Sequence, residues 1–398
     1  MVVPSAASRE MAPESLPLGI IPTVDMSAPS GRGELARRLV RACAERGFFK
    51  AVNHGVPARA AARLDAAASA FFARPAQAKQ AAGPPDPLGY GSRNIGANGD
   101  VGELEYLILH ADPATVARKA RVIDAEDPSR FRSTRIGKDD AKRKGHSEHA
   151  PCHKEPNRLA GHWQVGRAVI CSSTERINES VAVNEYVDAV RRLACRVLDL
   201  LGEGLGLRDP TSFSRLISAV DSDSLLRINH YPTSAAALRG PGDRSCTAED
   251  AIGFGEHTDP QILSVLRAND VDGLQVLLPD GRGGGDEWVQ VPADPAAFFI
   301  NVGDLLQALT NGRLVSIRHR VMASTSRPRL STIYFAAPPL HARVSALPET
   351  VAAGTPRRYR PFTWAEYKKA MYAHRLSHNR LDLFHASADD DAADDEHS

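Results

Sequence analysis

Leu225-Leu-Arg-Ile-Asn-His-Tyr231 is the first of a series of short, largely apolar runs in the second half of this chain. In a strand, side chains two residues apart point to the same face, so runs with this period indicate strands. Turn-forming residues separate them, and the candidate strands are 225–231, 253–257, 261–267, 273–278, 287–291, 297–302, 316–323 and 329–335. Eight short strands at this spacing predict a jelly roll, also called a double-stranded β-helix.

Potential metal ligands lie within these strands. In His257-Thr-Asp259 the imidazole and the carboxylate are two residues apart, so one strand face presents both. His319 lies in Ser316-Ile-Arg-His-Arg-Val-Met322, where it shares a face with two apolar residues and the arginines take the other face. Two imidazoles and one carboxylate form the 2-His-1-carboxylate triad that suits non-haem Fe(II). A His-x-Asp pair alone also arises by chance, so the interpretation needs further support.

That support comes from two further polar pairs with the same spacing. Arg329 and Ser331 share one face of the last strand, and Asn229 and Tyr231 share one face of the first. A guanidinium matches a carboxylate with two parallel hydrogen bonds, and a nearby hydroxyl adds a donor. Since buried polar groups are costly unless they are matched, we expect these pairs to line one cavity.

The order His-x-Asp, distal His, Arg-x-Ser resembles the signature of the 2-oxoglutarate/Fe(II)-dependent dioxygenases, and Asn229-x-Tyr231 is similar to that of their soluble plant branch. Several longer stretches look like gibberellin 2-oxidases, namely Leu88-Gly-Tyr-Gly91, Gly102-Glu-Leu-Glu-Tyr106, Gly253-Phe-Gly-Glu-His-Thr-Asp-Pro-Gln-Ile262 and Asn301-Val-Gly-Asp-Leu-Leu-Gln-Ala-Leu-Thr-Asn-Gly-Arg313. The resemblance extends from Ile21 to Phe384, apart from one internal segment.

This resemblance implies a chemistry and a set of residue roles. Fe(II) would be held by His257, Asp259 and His319, and no catalytic residue beyond these ligands is required. The co-substrates would be O2 and 2-oxoglutarate, with ascorbate supporting activity. Arg329 would pair with the distal carboxylate of 2-oxoglutarate, beside Ser331, Tyr231 and Asn229. The reaction would be hydroxylation of a gibberellin at carbon 2, which inactivates the hormone.

The substrate and the activity leave alternatives open. A diterpenoid acid needs a cation for its carboxylate, and Arg93 in Tyr90-Gly-Ser-Arg-Asn-Ile-Gly96 is the candidate, although it equally suits a surface arginine. The chain is alternatively another plant 2-oxoglutarate oxygenase, acting on a flavonoid or on a different gibberellin carbon. A third alternative is a non-catalytic binding protein disabled by its internal insert.

Composition limits the cellular setting and the partners. The chain has 398 residues with 49 basic and 48 acidic side chains, so no global charge favours nucleic acid or an anionic membrane. Five scattered cysteines do not suggest a disulfide framework. Neither a signal peptide nor an apolar stretch long enough to span a membrane is evident. We therefore expect a cytoplasmic α+β protein that binds a small molecule, in an oligomeric state that the sequence does not indicate.

The expected organisation places helices around the jelly roll. The N-terminal region is expected to be mixed α/β, with a strand at Ile21–Asp25, a helix at Glu34–Glu45, a strand at 47–54 and a second helix ending near Phe72. Within it, His54 is expected to be a hydrogen-bonded structural histidine. A long amphipathic helix carries Val187, Val190, Ala194, Val197 and Leu201. The regions are a disordered N-terminus at 1–18, the N-terminal region at 19–131, an insert at 132–179, the backing helix at 180–220, the jelly roll at 221–340, a C-terminal helical region at 341–386 and an acidic disordered tail at 387–398.

The insert does not fit the pattern of the rest. It lacks clear periodicity and is rich in Lys, Arg and Ser, which predicts a disordered excursion. It contains His146-Ser-Glu-His-Ala-Pro-Cys-His153, but no second ligand pair follows at the spacing of a zinc site, so we do not expect a structural metal there.

Overall fold

In the computed structural model the described residues are 21–84, 88–94, 101–111, 165–233, 252–279, 285–324, 326–373 and 380–387, with backbone alone for 94, 101–103 and 165–181. The helices are α1 Arg32–Glu45, α2 Ala58–Phe72, α3 Ala76–Gln80, α4 Val165–Leu205, α5 Ser212–Ser218, α6 Asp304–Leu309 and α7 Trp364–Ala373, with 3-10 turns at Pro348–Thr350 and Arg380–Phe384. The strands are β1 Thr23–Asp25, β2 Phe48–Val52, β3 Gly89–Asn94, β4 Val101–His110, β5 Leu225–Tyr231, β6 Ile252–His257, β7 Leu263–Ala268, β8 Leu274–Pro279, β9 Asp286–Gln290, β10 Phe298–Val302, β11 His319–Met322, β12 Arg329–Ala336, β13 Arg343–Val344 and β14 Phe362–Thr363.

Two sheets form the centre of the described fold. The larger has the strand order β1-β2-β10-β7-β12-β5-β4-β3, and the smaller has the order β6-β11-β8-β9. Side chains of both sheets, including Leu266 and Ile333 from the larger and Phe254 and Val276 from the smaller, belong to one buried apolar cluster. The two sheets therefore pack face to face, as the predicted jelly roll requires, and all eight predicted strands are present.

Four strands of the N-terminal region extend the larger sheet. β1 pairs in parallel with β2, which pairs with β10, while β3 and β4 continue the sheet beyond β5. The sequence predicted β1 and β2 as strands but did not predict β3 and β4. The periodicity of a strand also does not indicate which other strands it will pair with in a sheet. The jelly-roll sheet thus gains two strands at each edge.

A helical layer covers the outer face of the larger sheet. Helix α4 contacts α1, α2 and α5, and its buried stripe includes all five residues predicted from the periodicity. The opposite face of β5, represented by Leu226 and Ile228, belongs to the same apolar cluster as this stripe. The predicted role of α4 as a backing layer is therefore confirmed.

The start of α4 corrects the prediction for part of the insert. The helix begins at Val165, so the backbone of residues 165–179 is helical, whereas the sequence predicted no regular structure there. Adding residues to an existing helix costs much less free energy than nucleating a new one. A helix whose later turns are packed in the core therefore extends towards its N-terminus through residues with weak hydrophobic periodicity. Residues 132–164, with His146–His153, lie outside the described ranges, as do the predicted disordered N-terminus 1–18 and residues 388–398 of the predicted tail at 387–398.

Candidate metal centre and co-substrate pocket

The three predicted metal ligands come together between β6 and β11. These strands are antiparallel, and their register places His257 directly opposite His319. Asp259 follows β6 by two residues, and its Oδ1 lies 3.8 Å from Nε2 of His257 and 3.7 Å from Nε2 of His319. The three ligand atoms all lie within 4.8 Å of one another. This spacing allows one ion to contact all three.

The hydrogen bond made by Nδ1 of each imidazole determines which ring nitrogen is free to bind a metal. Nδ1 of His257 lies 2.7 Å from the carbonyl oxygen of Gly255, and Nδ1 of His319 lies 3.1 Å from that of Ile317. Since a carbonyl oxygen only accepts, each Nδ1 carries the proton and donates. In the neutral form of each imidazole, Nε2 is therefore the nitrogen that carries the lone pair, and it faces Asp259, as ligation of a metal requires.

Burial sets the charges at this centre. Burial, reinforced by the neighbouring His319, lowers the pKa of His257 to about 3, so this imidazole is neutral at physiological pH. Burial alone would raise the pKa of Asp259, but the two imidazoles hold it below its ordinary value. The site thus combines one carboxylate oxygen with two imidazole nitrogens, a donor set that suits Fe(II).

A buried polar network holds the loop that carries Asp259, and sequence reasoning assigned it no role. Nδ2 of Asn301 donates to Oδ2 of Asp259 at 3.3 Å, which leaves Oδ1 facing the imidazoles. The backbone N–H of Asp304 donates to the carbonyl of Asp259 at 2.8 Å, and Nη2 of Arg380 donates to the carbonyl of Thr258 at 2.5 Å. These contacts hold the loop from two distant parts of the chain.

Asp304 is the centre of that network. Its carboxylate accepts hydrogen bonds from Thr258, Ser316 and Tyr367, at 3.2, 2.7 and 2.6 Å. Burial raises the pKa of Asp304, against the opposing charge of Arg380. The only sequence signal was Asn301-Val-Gly-Asp304 within the resembling stretch, because nothing local shows that residues near 367 and 380 return to this loop.

The residues expected to bind 2-oxoglutarate also come together, namely Arg329, Ser331, Asn229 and Tyr231. In the β5–β12 ladder Arg329 lies opposite Tyr231 and Ser331 lies opposite Asn229, and all four side chains are buried. The guanidinium carbon of Arg329 lies 5.3 Å from the centre of the Tyr231 ring, and Nδ2 of Asn229 donates to the Tyr231 hydroxyl at 3.2 Å. The four residues therefore form one patch on the inner face of the larger sheet, as the spacing predicted.

This patch contains polar atoms that lack partners. Nε and Nη1 of Arg329 and Oγ of Ser331 are buried and meet no hydrogen-bond partner in the part of the chain that the structure describes. Burial lowers the pKa of Arg329, but an arginine remains charged at any physiological pH. A buried cation with unused donors fits a carboxylate ligand, since leaving it unmatched is costly.

Two other predicted residues lie in different settings. Arg93 is exposed on β3, with a φ of 62° in the left-handed region. Nothing in the described residues brings Arg93 to the metal centre. His54 is hydrogen-bonded, with Nε2 3.0 Å from the carbonyl of Ala296 and Nδ1 accepting from the N–H of Val56 at 3.1 Å. The prediction that His54 is a structural histidine is confirmed.

Sequence comparison identifies relatives that match most of the chain. Residues 222–338 match the 2OG-Fe(II) oxygenase superfamily model, and residues 21–121 match the model for the N-terminal region of non-haem dioxygenases in morphine synthesis. Gibberellin 2-beta-dioxygenase 2 of Oryza sativa subsp. japonica is 65% identical over 92% of this chain and 87% of its own length. Gibberellin 2-beta-dioxygenase of Phaseolus coccineus is 40% identical over 93% of this chain and 92% of its own.

Solved structures show the same fold. The dioxygenase for auxin oxidation from rice superposes with a TM-score of 0.65 at 27% identity, covering 92% of this chain and 100% of that one. JOX2, solved in complex with 2OG, Fe and JA, superposes with a TM-score of 0.67 at 23% identity, covering 92% and 89%. No helix among the described residues is both long enough and apolar enough to cross a membrane.

Proposed function

This chain belongs to the 2OG-Fe(II) oxygenase superfamily and, within it, to the gibberellin 2-beta-dioxygenases, and from that premise we propose that it hydroxylates gibberellins at carbon 2. The reaction consumes 2-oxoglutarate and O2 and inactivates the hormone. The proposal is carried by the convergence of two Nε2 atoms and one carboxylate oxygen, together with a buried, partly unpartnered Arg329 on the inner face of the larger sheet. These features supply a site for a metal and a site for a dicarboxylate.

The metal would be held by Nε2 of His257, Nε2 of His319 and Oδ1 of Asp259. When Fe(II) is bound there, it supplies the redox chemistry that couples oxidative decarboxylation of 2-oxoglutarate to insertion of one oxygen atom into a substrate C–H bond. The protein holds both imidazoles in the required tautomer through the carbonyls of Gly255 and Ile317. It orients the carboxylate through Asn301.

The distal carboxylate of 2-oxoglutarate would pair with Arg329. A charge-assisted bond to this guanidinium provides affinity and orientation together, and the Ser331 hydroxyl is a free donor beside it. Asn229 holds the Tyr231 hydroxyl on the same face, so Tyr231 can contribute a further polar contact. We therefore assign Arg329, Ser331, Tyr231 and Asn229 to the co-substrate pocket.

The inner walls contribute by excluding water. The apolar cluster between the two sheets includes Phe254, Leu274, Val276, Ile317 and Ile333. Such a setting strengthens each polar contact inside the cavity and keeps solvent away from reactive species. The substrate is a small diterpenoid acid, and we place the reaction in the cytoplasm, with ascorbate maintaining the metal in its reduced state.

A product assay tests this proposal. The purified enzyme is incubated with gibberellins, Fe(II), ascorbate and 2-oxoglutarate, and products are identified by mass spectrometry and NMR. We expect products with one added oxygen at carbon 2 and succinate in equal amount. Hydroxylation at another carbon, or turnover of a flavonoid in preference to gibberellins, would assign the chain a different substrate. The absence of any succinate release would leave a binding protein as the remaining interpretation.

A further inference from the structure

Arg227 is a charged side chain on the inner face of β5 that the proposed function has not used. Along β5, Arg227, Asn229 and Tyr231 share one face, and the last two line the co-substrate pocket. Its guanidinium carbon lies 4.1 Å from the ring centre of Tyr106 and 5.0 Å from that of Phe254. The Phe254 ring in turn lies 4.5 Å from that of His257, so one aromatic ring separates Arg227 from a metal ligand.

The hydrogen bonding of Arg227 is incomplete. Its Nε donates to Oδ1 of Asn229 at 2.8 Å, but its Nη2 is buried and has no partner. Within the described ranges no carboxylate forms an ion pair with it. Burial is the main influence on this group and lowers its pKa, although an arginine stays charged at physiological pH. A half-buried guanidinium with an unpartnered, buried Nη2 leaves one donor unmatched, so the site is suited to an anionic ligand.

The position of Arg227 separates it from the proposed co-substrate cation. In the β5–β12 ladder Arg329 lies opposite Tyr231 at one end of β5, while Arg227 lies opposite Ile333, four residues along β12. Arg227 and Arg329 therefore lie on the same face of the larger sheet, at different positions along the β5–β12 ladder, and each has a buried nitrogen without a partner. The proposed reaction uses two carboxylic acids, 2-oxoglutarate and the diterpenoid substrate.

We propose that Arg227 binds the carboxylate of the substrate, while Arg329 binds that of 2-oxoglutarate. This inference rests on the proposed function and adds a residue that determines substrate specificity. The free Nη2 supplies a charge-assisted hydrogen bond, and the Asn229 contact holds the guanidinium in place before the substrate arrives. The rings of Tyr106 and Phe254 shield the pair from water and offer apolar surface to a terpenoid skeleton.

Arg93, the cation expected from the sequence, fits this role less well. Its side chain is exposed on β3, where water already solvates the charge. A solvated guanidinium pairs with a carboxylate only weakly, because both groups give up hydrogen bonds to water in order to form hydrogen bonds to each other. Nη2 of Arg227 is already removed from water, so a substrate carboxylate would supply the hydrogen bond that this nitrogen lacks.

The test compares a gibberellin free acid with its methyl ester, which has the same skeleton without the charge. Steady-state kinetics are measured for wild type, Arg227→Met, Arg227→Lys, Arg93→Met and Arg360→Met. Arg360 is the matched control, because it is also partly buried and lies 4.9 Å from an aromatic ring, that of Phe384, in the C-terminal region. Iron content and circular dichroism establish that each variant is folded and loaded.

We expect wild type to prefer the acid and Arg227→Met to lose that preference. The KM for the acid should rise on the order of tenfold, with kcat and the KM for 2-oxoglutarate changed little, and Arg227→Lys should recover part of the loss. Arg360→Met should retain the wild-type preference. An Arg227→Met enzyme that still prefers the acid would overturn the inference, as would a preference lost in Arg93→Met instead.

The wild-type measurement keeps the inference testable even if the Arg227 variants do not fold. A wild type that hydroxylates acid and ester with equal KM would show that no cation recognises the carboxylate, and would overturn the inference while leaving the proposed function intact. A wild type that hydroxylates neither ligand would instead overturn the proposed function.

Discussion

At the scale of single residues, the metal centre depends on which atom of each side chain remains free. Two backbone carbonyls occupy the Nδ1 atoms of His257 and His319, and Asn301 occupies Oδ2 of Asp259. The three remaining donor atoms face one another, although two of them belong to strands that are distant in sequence. Because a buried carboxylate supplies the negative charge, Asp259 is the ligand whose loss should matter most.

We therefore predict that Asp259→Ala loses Fe(II) binding and turnover while the fold persists. The two imidazoles that remain provide no negative charge to offset that of the metal. The measurements are bound iron by elemental analysis, succinate release and circular dichroism. Asp270→Ala is the control, since Asp270 is an exposed carboxylate paired with Arg327. Normal iron content in folded Asp259→Ala would remove Asp259 from the ligand set.

Arg329 gives a second prediction at this scale. Arg329→Lys keeps the charge but removes the planar pair of donors, so the KM for 2-oxoglutarate should rise on the order of tenfold or more. The KM for the gibberellin should change little. Arg327→Lys, on an exposed arginine two residues earlier, is the control. A raised KM for the gibberellin with an unchanged KM for 2-oxoglutarate would place Arg329 in the substrate site instead.

At the scale of elements, polar clusters join segments that the apolar pattern does not distinguish. Glu105 on β4 accepts from Lys79 of α3 at 2.5 Å and from the Tyr90 hydroxyl of β3 at 2.6 Å, and its other oxygen lies 3.0 Å from Nδ1 of His230 on β5. Burial would raise the pKa of Glu105, but hydrogen bonds from His230, Lys79 and Tyr90 outweigh it and lower the pKa to about 2. One carboxylate thus ties α3 to three adjacent strands.

This cluster predicts a pH-dependent contribution to stability. The folded-state pKa of Glu105 is about 2 and lies below the model-compound value of 4.5, so its stabilisation is complete above that value and is lost as the pH falls towards 2. Glu105→Gln should therefore unfold at lower denaturant concentration than wild type at pH 7. The difference should shrink between pH 4.5 and pH 3.

Chemical unfolding of both proteins, followed by circular dichroism across this pH range, provides the measurement. Glu366→Gln is the control, since Glu366 is exposed and bonded only to Thr363 among the described contacts. A difference between wild type and Glu105→Gln that stays constant down to pH 3 would show that the carboxylate charge does not provide the stabilisation.

At the scale of the whole molecule, the described core is built from elements that lie on both sides of residues 132–164 in the chain. The larger sheet packs against α1, α2 and the later turns of α4, while the candidate metal ligands His257 and His319 lie opposite each other on β6 and β11 of the smaller sheet. We predict that deleting residues 132–164 leaves iron binding intact and activity equal or higher. Long insertions in a connection add little to the free energy of folding, on the order of 0.6 kcal/mol per doubling of length.

Iron content, succinate release and thermal unfolding of the deletion variant test this prediction. Limited proteolysis of the intact chain should cut first in the basic stretch from Lys138 to Lys144, which offers several trypsin sites. A deletion variant that unfolds or fails to bind iron would show that the segment is structural.

The sequence by itself determined the eight strands of the jelly roll, the pairing of His257 with Asp259 and the faces on which His319, Arg329 and Tyr231 lie. These follow from a period of two residues and from the chemistry of each side chain, which are local properties. The division into regions stays a prediction, and so do the roles of the individual site residues.

Only the tertiary structure decided which distant groups meet. It placed β1 to β4 at the edges of the larger sheet, extended α4 back to Val165, and brought Arg380 to the loop of Asp259. It also distinguished an exposed Arg93 from a half-buried Arg227 with an unpartnered nitrogen, a difference that the sequence around each arginine does not show. Burial and pairing depend on residues far apart along the chain, so periodicity carries no information about them.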